Sequence, residues 1–461
     1  MIAPQAREVM QSTQTFVRAD SRQSGSALDA ASPVRGAHGT HTAGSNGAAT
    51  ERRSHQGLAR RSFLAAVAAQ GVAWAAPWSE FLGNGALSQG DGDAIPSEWS
   101  DTRNVIWRSA VPGYGQSSPV ASGGKAFATG VEGPAKETLL VTAFNLESGQ
   151  AVWTHRSPSS QQIKDSDMVS KGAPTPAVDG RAVYAFFETG NLLALDHDGS
   201  RVWERSLTEE FGEFGGRHGI GSSLRLCRAG VLALVAHDKP SYLVCVDRED
   251  GRTVWKRDRP EGVSWSTPTV VTHGGREIAL VSAGDSVEAY ATEDGSPLWT
   301  LDGLQGAFIA SPTPVGGGAI VGSSSKGHNV AIRFGSRASE VPTVAWRAEE
   351  ASSYFSSPLA HRGKIYMVNK AGVAFCLRED TGEGVWHSRL SGQCWASSIG
   401  CGERVYFFGV DGLTEVVAAG DKFARVAENR LSVEGRLYGA AIVEKGLLLR
   451  YGRDLVRVGF A

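Results

Sequence analysis

Aromatic residues recur at one position of a repeated pattern, and this spacing is the clearest sign of a binding site in the sequence. Eight short motifs, mostly two small residues followed by proline, occur between residues 117 and 441, and we call them strand-start motifs. The residues that immediately precede them, which we call the mouth positions, are Gln116, Ala173, Gly221, Trp265, Ile309, Phe355, Trp395 and Tyr438. Aromatic rings gathered in a concavity can hold a planar ligand, a sugar or a peptide side chain. The alternative is that these large side chains only plug a channel.

A second candidate is Arg217 with His218, which lie just before the third strand-start motif and can either face the same channel or belong to a polar loop. The sequence contains no CxxC spacing, nucleophile elbow or phosphate-binding glycine loop, and no acidic cluster has the spacing of a calcium loop. We therefore assign no catalytic or metal-binding residue. The candidate ligand-binding residues are Gln116, Arg217, His218, Trp265, Phe355, Trp395 and Tyr438.

A second repeated phrase indicates how the mouth positions come together. A polar turn that ends in glycine is followed four residues later by tryptophan, as in Asp250-Gly251 to Trp255. Related tryptophans, separated by 40 to 52 residues, are Trp107, Trp153, Trp203, Trp255, Trp299, Trp346 and Trp386. A period of this size is typical of repeat architectures.

Each repeat has the pattern of four short antiparallel strands. Before Trp299, apolar segments at 266–271, 277–281 and 286–290 are followed by Asp294-Gly295, where glycine tolerates the positive φ of a tight turn. One such sheet cannot bury both of its faces, so neighbouring sheets must stack around an axis. We expect each tryptophan to be a wedge between neighbours, because one indole buries roughly 150–250 Å².

Eight strand-start motifs predict an all-β, eight-bladed propeller of four-stranded antiparallel blades over residues 104–461. The last motif is followed by only two further strands before the chain ends, so the final blade has three. We expect residues 105–109 to supply its fourth strand, since this closure removes an open sheet edge. A WD-repeat propeller is the structural alternative, although its Gly-His and Trp-Asp signatures are missing.

Three further segments are predicted before the repeats. Residues 1–58 are typical of a disordered extension, and residues 77–103 of a lead-in loop. Residues 59–76 combine Arg60-Arg61, a short apolar run and a small-x-small ending, which resembles a twin-arginine export signal; an N-terminal helix is the alternative. We expect an exported protein, periplasmic or extracellular, without a transmembrane helix in the mature chain.

The charge composition argues against a nucleic-acid partner. The chain has 46 basic and 48 acidic residues, a net charge of −2, and the region after residue 75 is more acidic than the beginning. Nucleic-acid binding needs a concentrated basic face, which the sequence does not indicate.

Several segments resemble exported bacterial propellers of the pyrroloquinoline-quinone-like repeat family. They are Trp78-x-x-Phe81-x-Gly83, residues 104–108, residues 113–120 and the phrase Ala143-x-Asn145-x-x-Ser148-Gly149-x-x-x-Trp153. The resemblance spans roughly residues 78–461, and it implies the propeller fold more strongly than any function.

The resemblance implies two functions of different classes. The leading hypothesis is a non-catalytic scaffold without a cofactor that binds a protein, peptide or carbohydrate partner, as the similar outer-membrane assembly lipoproteins do. The alternative is a dehydrogenase of alcohols or sugars that uses pyrroloquinoline quinone (PQQ) and calcium. In that class the quinone stacks on a tryptophan, often against an adjacent Cys-Cys pair, and this sequence has no adjacent cysteines.

Overall fold

The computed structural model describes residues 78–85, 87–89, 95–164, 166, 169–216, 218–237 and 239–460. All described residues belong to one compact unit, Gly71–Ala461. The segments predicted at 1–58 and 59–76 lie outside the described residues. In the part of the chain that is described, no helix is both long and apolar enough to cross a membrane.

The described residues form an eight-bladed β-propeller in which each blade has four antiparallel strands, and one blade gains a fifth, parallel strand from the lead-in. The first strands are β1 (Ser88–Gln89) and β2 (Val105–Ala110). Blade 1 contains β3 (Val120–Ser122), β4 (Lys125–Glu132), β5 (Thr138–Asn145) and β6 (Ala151–Pro158), and blade 2 contains β7 (Ala177–Val178), β8 (Ala182–Phe186), β9 (Asn191–Asp196) and β10 (Arg201–Ser206). Blade 3 contains β11 (Arg225–Cys227), β12 (Gly230–Ala236), β13 (Ser241–Val246) and β14 (Thr253–Asp258), and blade 4 contains β15 (Thr269–His273), β16 (Arg276–Ala283), β17 (Ser286–Ala291) and β18 (Pro297–Leu301).

The remaining blades follow the same order. Blade 5 contains β19 (Thr313–Val315), β20 (Gly318–Val321), β21 (Asn329–Arg333) and β22 (Thr343–Ala348), and blade 6 contains β23 (Leu359–His361), β24 (Lys364–Val368), β25 (Val373–Arg378) and β26 (Gly384–Arg389). Blade 7 contains β27 (Ile399–Cys401), β28 (Arg404–Phe408), β29 (Leu413–Ala418) and β30 (Arg425–Arg430), and blade 8 contains β31 (Leu437–Val443), β32 (Gly446–Tyr451) and β33 (Asp454–Gly459). The short helices are α1 (Leu82–Gly85) and α2 (Leu207–Phe211).

The ring closes as predicted. Strand β2 pairs antiparallel with β33, in a register that places Val105 opposite Val458 and Ala110 opposite Asp454. The eighth sheet therefore has the order β2-β33-β32-β31. Joining the two ends of the repeat region in one sheet removes the strand edge that three strands alone would expose.

The repeated glycine-to-tryptophan phrase forms a lock between neighbouring blades. A Cβ atom on Gly251 would lie 2.6 Å from Cδ2 of Trp203, and the Trp203 indole N–H donates a hydrogen bond to the carbonyl of Arg248. Glycine is thus required in this turn for two reasons: its φ is +73°, and a side chain would collide with the indole. The same contact joins Trp107 to Gly149, Trp153 to Gly199, Trp255 to Gly295 and Trp346 to Gly382.

Hydroxyl groups in the strand-start motifs connect the inner ends of the blades. The backbone N–H of Ser118 donates to the hydroxyl oxygen of Thr175 at 2.9 Å, and the Thr175 N–H donates to Ser223 at 3.0 Å. The relay continues through Thr267, Ser311, Ser357 and Ser397. These bonds explain why a small hydroxyl residue recurs in the motif, and Ala440 interrupts the relay in blade 8.

The lead-in crosses the end of the channel that lies opposite the mouth positions. Its groups accept hydrogen bonds from the backbone N–H groups of four inner strands: Trp78 from Ala121, Ser79 from Val178, Glu80 from Leu226 and Leu87 from Gly400. Strand β1 also pairs in parallel with β27, the inner strand of blade 7. The mouth positions precede these same inner strands, so the lead-in covers the other end.

Candidate functional site

The mouth positions share one environment. All eight are half-buried, whereas the residue that follows each of them is buried. Seven of these positions lie four residues before the first residue of an inner strand, and Tyr438 is the second residue of β31. The mouth positions therefore lie at the end of the channel where the inner strands start.

Three of the predicted aromatic residues form one cluster. The ring of Phe355 stacks on Trp395 with centroids 4.3 Å apart, and Trp395 meets Tyr438 edge to face at 6.3 Å. The hydroxyl of Tyr438 lies 2.7 Å from the hydroxyl of Tyr114, and the Gln116 amide donates to it at 3.5 Å. We call Tyr114, Phe355, Trp395 and Tyr438 the aromatic arc, which runs through blades 6, 7, 8 and 1.

The other predicted residues lie apart from the arc. Trp265 lies 6.0 Å from His218, centroid to centroid, and its indole N–H donates to the carbonyl of Gly219. Among the described residues, no aromatic contact links Trp265 to the arc. Arg217 lies outside the described residues. The structure therefore joins Gln116, Phe355, Trp395 and Tyr438, and places Trp265 with His218 in a separate pair.

Sequence reasoning missed the cations that lie over these rings. The guanidinium of Arg436 is 4.3 Å from the centroid of Trp395, and that of Arg453 is 5.9 Å from the centroid of Tyr114. The ammonium of Lys370 lies 4.9 Å from Tyr354, which itself contacts Phe355. Cations at these distances are attracted to the negative faces of the rings.

Tyr114 was also missed, because it lies two residues before a mouth position and has no repeated counterpart. Burial, followed by its bond with Tyr438, raises the pKa of the Tyr114 hydroxyl. The Tyr114 hydroxyl therefore remains neutral at physiological pH and acts as a hydrogen-bonding group rather than a charged one. A Gly-Tyr-Gly segment before the first strand-start motif was the only available signal.

Comparisons with known proteins identify the family. A family model described as outer membrane protein assembly factor BamB matches residues 83–217 and 218–407, more than half of the chain. The chain belongs to this family.

Curated BamB-family relatives include outer membrane protein assembly factor BamB from Salmonella typhimurium and from Escherichia coli K12. Each is 24% identical over 57% of this chain and 50% of its own length, so the chain spans about half the length of these relatives. The crystal structure of BamB from Moraxella catarrhalis has a TM-score of 0.58 at 15% identity, with 77% of this chain and 97% of that chain covered. A europium-containing methanol dehydrogenase has a TM-score of 0.57 at 10% identity, with 81% and 89% covered. At these identities, the two structures show the shared fold alone.

The mouth of this BamB-family chain does not fit a bound quinone at Trp395. Phe355 and Arg436 both lie 4.3 Å from the centre of its ring, and two groups at that distance cannot share one face without overlapping. Both faces of the indole are therefore covered. Across the described ranges, no group of three or more His, Cys, Asp or Glu side chains could hold a metal ion.

Proposed function

We propose that the protein is an exported, non-catalytic propeller that binds a segment of a partner protein at the aromatic arc. The observation that carries this proposal is the continuous contact of four half-buried rings across four neighbouring blades. Large rigid rings held in a concave surface are typical anchors of protein interfaces, because they bury much area and lose little conformational entropy. The arc lies at the end of the channel that the lead-in does not cover.

Two further observations support a protein or peptide partner. The family is described as outer membrane protein assembly factors, a name that implies association with other proteins. Stacking of a sugar requires an open ring face, and both faces of Trp395 are covered. Peptide side chains can instead pack against the ring edges and bond to the hydroxyl of Tyr438. Export is supported by the paired arginines at 60 and 61, and it places the partner in the periplasm or outside the cell.

Site-specific photocrosslinking in the native cell tests this proposal. A photoreactive residue at Gln116 should give discrete protein adducts, and Trp395→Ala or Tyr438→Ala in the same chain should weaken them strongly. The control places the same residue at Val341, which is 52% exposed in the turn before β22, away from the mouth. Adducts that survive both substitutions, or that arise equally from Val341, would contradict binding at the arc.

The alternative, a dehydrogenase that uses PQQ and calcium, retains Trp265 as its one supporting residue, because this half-buried indole lies outside the arc. Tryptophan fluorescence of the full chain should stay unchanged during titration with PQQ and Ca²⁺ if the scaffold proposal is correct. Saturable quenching that disappears in Trp265→Ala would favour the enzyme instead.

A further inference from the structure

The arc carries positive charge that no described carboxylate neutralises. Arg436, Arg453 and Lys370 are exposed, lie over rings of the arc or over Tyr354 beside it, and form no ion pair among the described residues. Some exposed arginines elsewhere on the propeller are paired, as Arg181 is with Glu249, whereas others, such as Arg333, have no ion pair among the described residues. The mouth is distinguished by three such cations that lie over one contiguous set of aromatic rings.

A buried cation lies directly behind the arc. Arg450 is 0% exposed, and its guanidinium donates to the carbonyls of Tyr451 and Thr129 at 2.8 and 3.2 Å, while its Nε atom has no partner. Burial lowers the pKa of Arg450 to about 9, so the group stays charged at neutral pH. A charge in this low-dielectric position is weakly screened and strengthens the attraction of the mouth for anions.

A cleft next to Tyr114 extends the same positive surface. It has a volume of about 400 Å³, and the cations that line it are Lys136, Lys171 and Arg453. Glu132 also lines the cleft, but Arg156 is bonded to this carboxylate. Of these cations, Lys136 is buried and donates to the carbonyl of Ile163, whereas Arg453 is exposed next to the hydroxyl end of the arc.

We propose that the segment bound at the arc is acidic, with carboxylates on both sides of bulky apolar side chains. This inference rests on the proposed function and specifies its partner. Arg436 on Trp395 and Arg453 on Tyr114 are separated by two ring-to-ring steps of about 6.3 Å each. An extended peptide advances about 3.3–3.6 Å per residue, so carboxylates about three to five residues apart reach both guanidinium groups. A small anion with a single charge would reach only one of them.

Two matched peptides test the proposal with the full chain. A fluorescent peptide Glu-Phe-Gly-Phe-Glu should bind about tenfold more tightly than Gln-Phe-Gly-Phe-Gln, as expected for charge-assisted hydrogen bonds. The preference should fall as salt is added, because both guanidinium groups are exposed. Arg436→Gln and Arg453→Gln should each weaken only the acidic peptide, by about threefold, so that the two effects together account for the tenfold preference. The control is Arg333→Gln, which changes the exposed arginine at the C-terminal end of β21, a residue that forms no ion pair within the described part of the chain.

The outcomes separate this inference from the proposed function. Equal binding of both peptides, lost in Trp395→Ala, would overturn the acidic preference and leave the partner-binding proposal standing. No binding of either peptide would count against both. Binding of a sulfated oligosaccharide that depends on Arg436 and Arg453, without binding of the acidic peptide, would overturn the inference in favour of a glycan.

Discussion

Substitution of a single turn glycine should measure how strongly the tryptophan lock joins two blades. In Gly251→Ala the new Cβ atom would lie 2.6 Å from Trp203, so the indole must shift and its hydrogen bond to the Arg248 carbonyl must lengthen. Gly317→Ala is the matched control. Gly317 has φ +72° against +73° for Gly251, and a Cβ atom on Gly317 would have no heavy atom within 4 Å.

The difference between the two variants isolates the contact. In both, alanine at positive φ costs roughly 1–2 kcal/mol, partly offset by roughly 0.4–1 kcal/mol from the lower entropy of the unfolded chain. Crowding of a packed core costs about 1–3 kcal/mol more, and only Gly251→Ala has this cost. We therefore expect the free energy of unfolding of Gly251→Ala to lie about 1–3 kcal/mol below that of Gly317→Ala.

Urea denaturation followed by near-ultraviolet circular dichroism measures the difference, provided that the dependence of the free energy on urea is the same in all variants. Both glycine substitutions should then be repeated in a Trp203→Leu background, where the indole is gone and the difference should nearly vanish. Equal stability of the two single variants would refute the lock. So would a difference that persists after Trp203 is replaced.

Three further predictions concern stability. Trp255→Ala removes a 9% exposed wedge whose N–H donates to the Thr292 carbonyl, and it should lower the free energy of unfolding by about 3–5 kcal/mol in urea titrations. Ala440→Ser adds to blade 8 a hydroxyl oxygen that can accept a hydrogen bond from the backbone N–H of Ser397, and it should raise the free energy of unfolding by about 0.5–1.5 kcal/mol. Ala440→Val, which adds no hydroxyl, should give no such increase. Burial raises the pKa of Glu80 above 4.5, so its stabilising contribution is complete below pH 4.5 and is lost as the pH rises through the folded-state pKa. Glu80→Gln should therefore lose less stability than the parent between pH 4 and pH 8, and parallel pH profiles would contradict this.

The blade count was predictable because each blade is specified locally. The turn glycine, the tryptophan and the small hydroxyl residue recur at regular intervals along the chain. Each has a steric or hydrogen-bonding role that depends only on its residue type and on its position in the repeat. Val105 could be assigned to the last blade for the same reason, since a sheet of three strands leaves an open edge.

The composition of the site was only partly predictable. Alignment of the strand-start motifs placed Phe355, Trp395 and Tyr438 at one mouth, but it also included Trp265, which lies with His218 in a separate pair. A mouth position specifies that a side chain is half-buried at the rim. It does not specify which neighbour the ring turns towards, because that depends on the loops of adjacent blades.

The sequence alone determined the propeller, the position of its closure and the presence of aromatic residues at one end of the channel. Only the tertiary structure decided that Tyr114 bonds to Tyr438, 324 residues away in the chain, and that Arg436 covers a face of Trp395. The first set of features follows from local patterns that repeat with a regular period. The second exists because closure of the ring brings the two ends of the repeat region together, and no periodic pattern records which unrepeated side chains then meet.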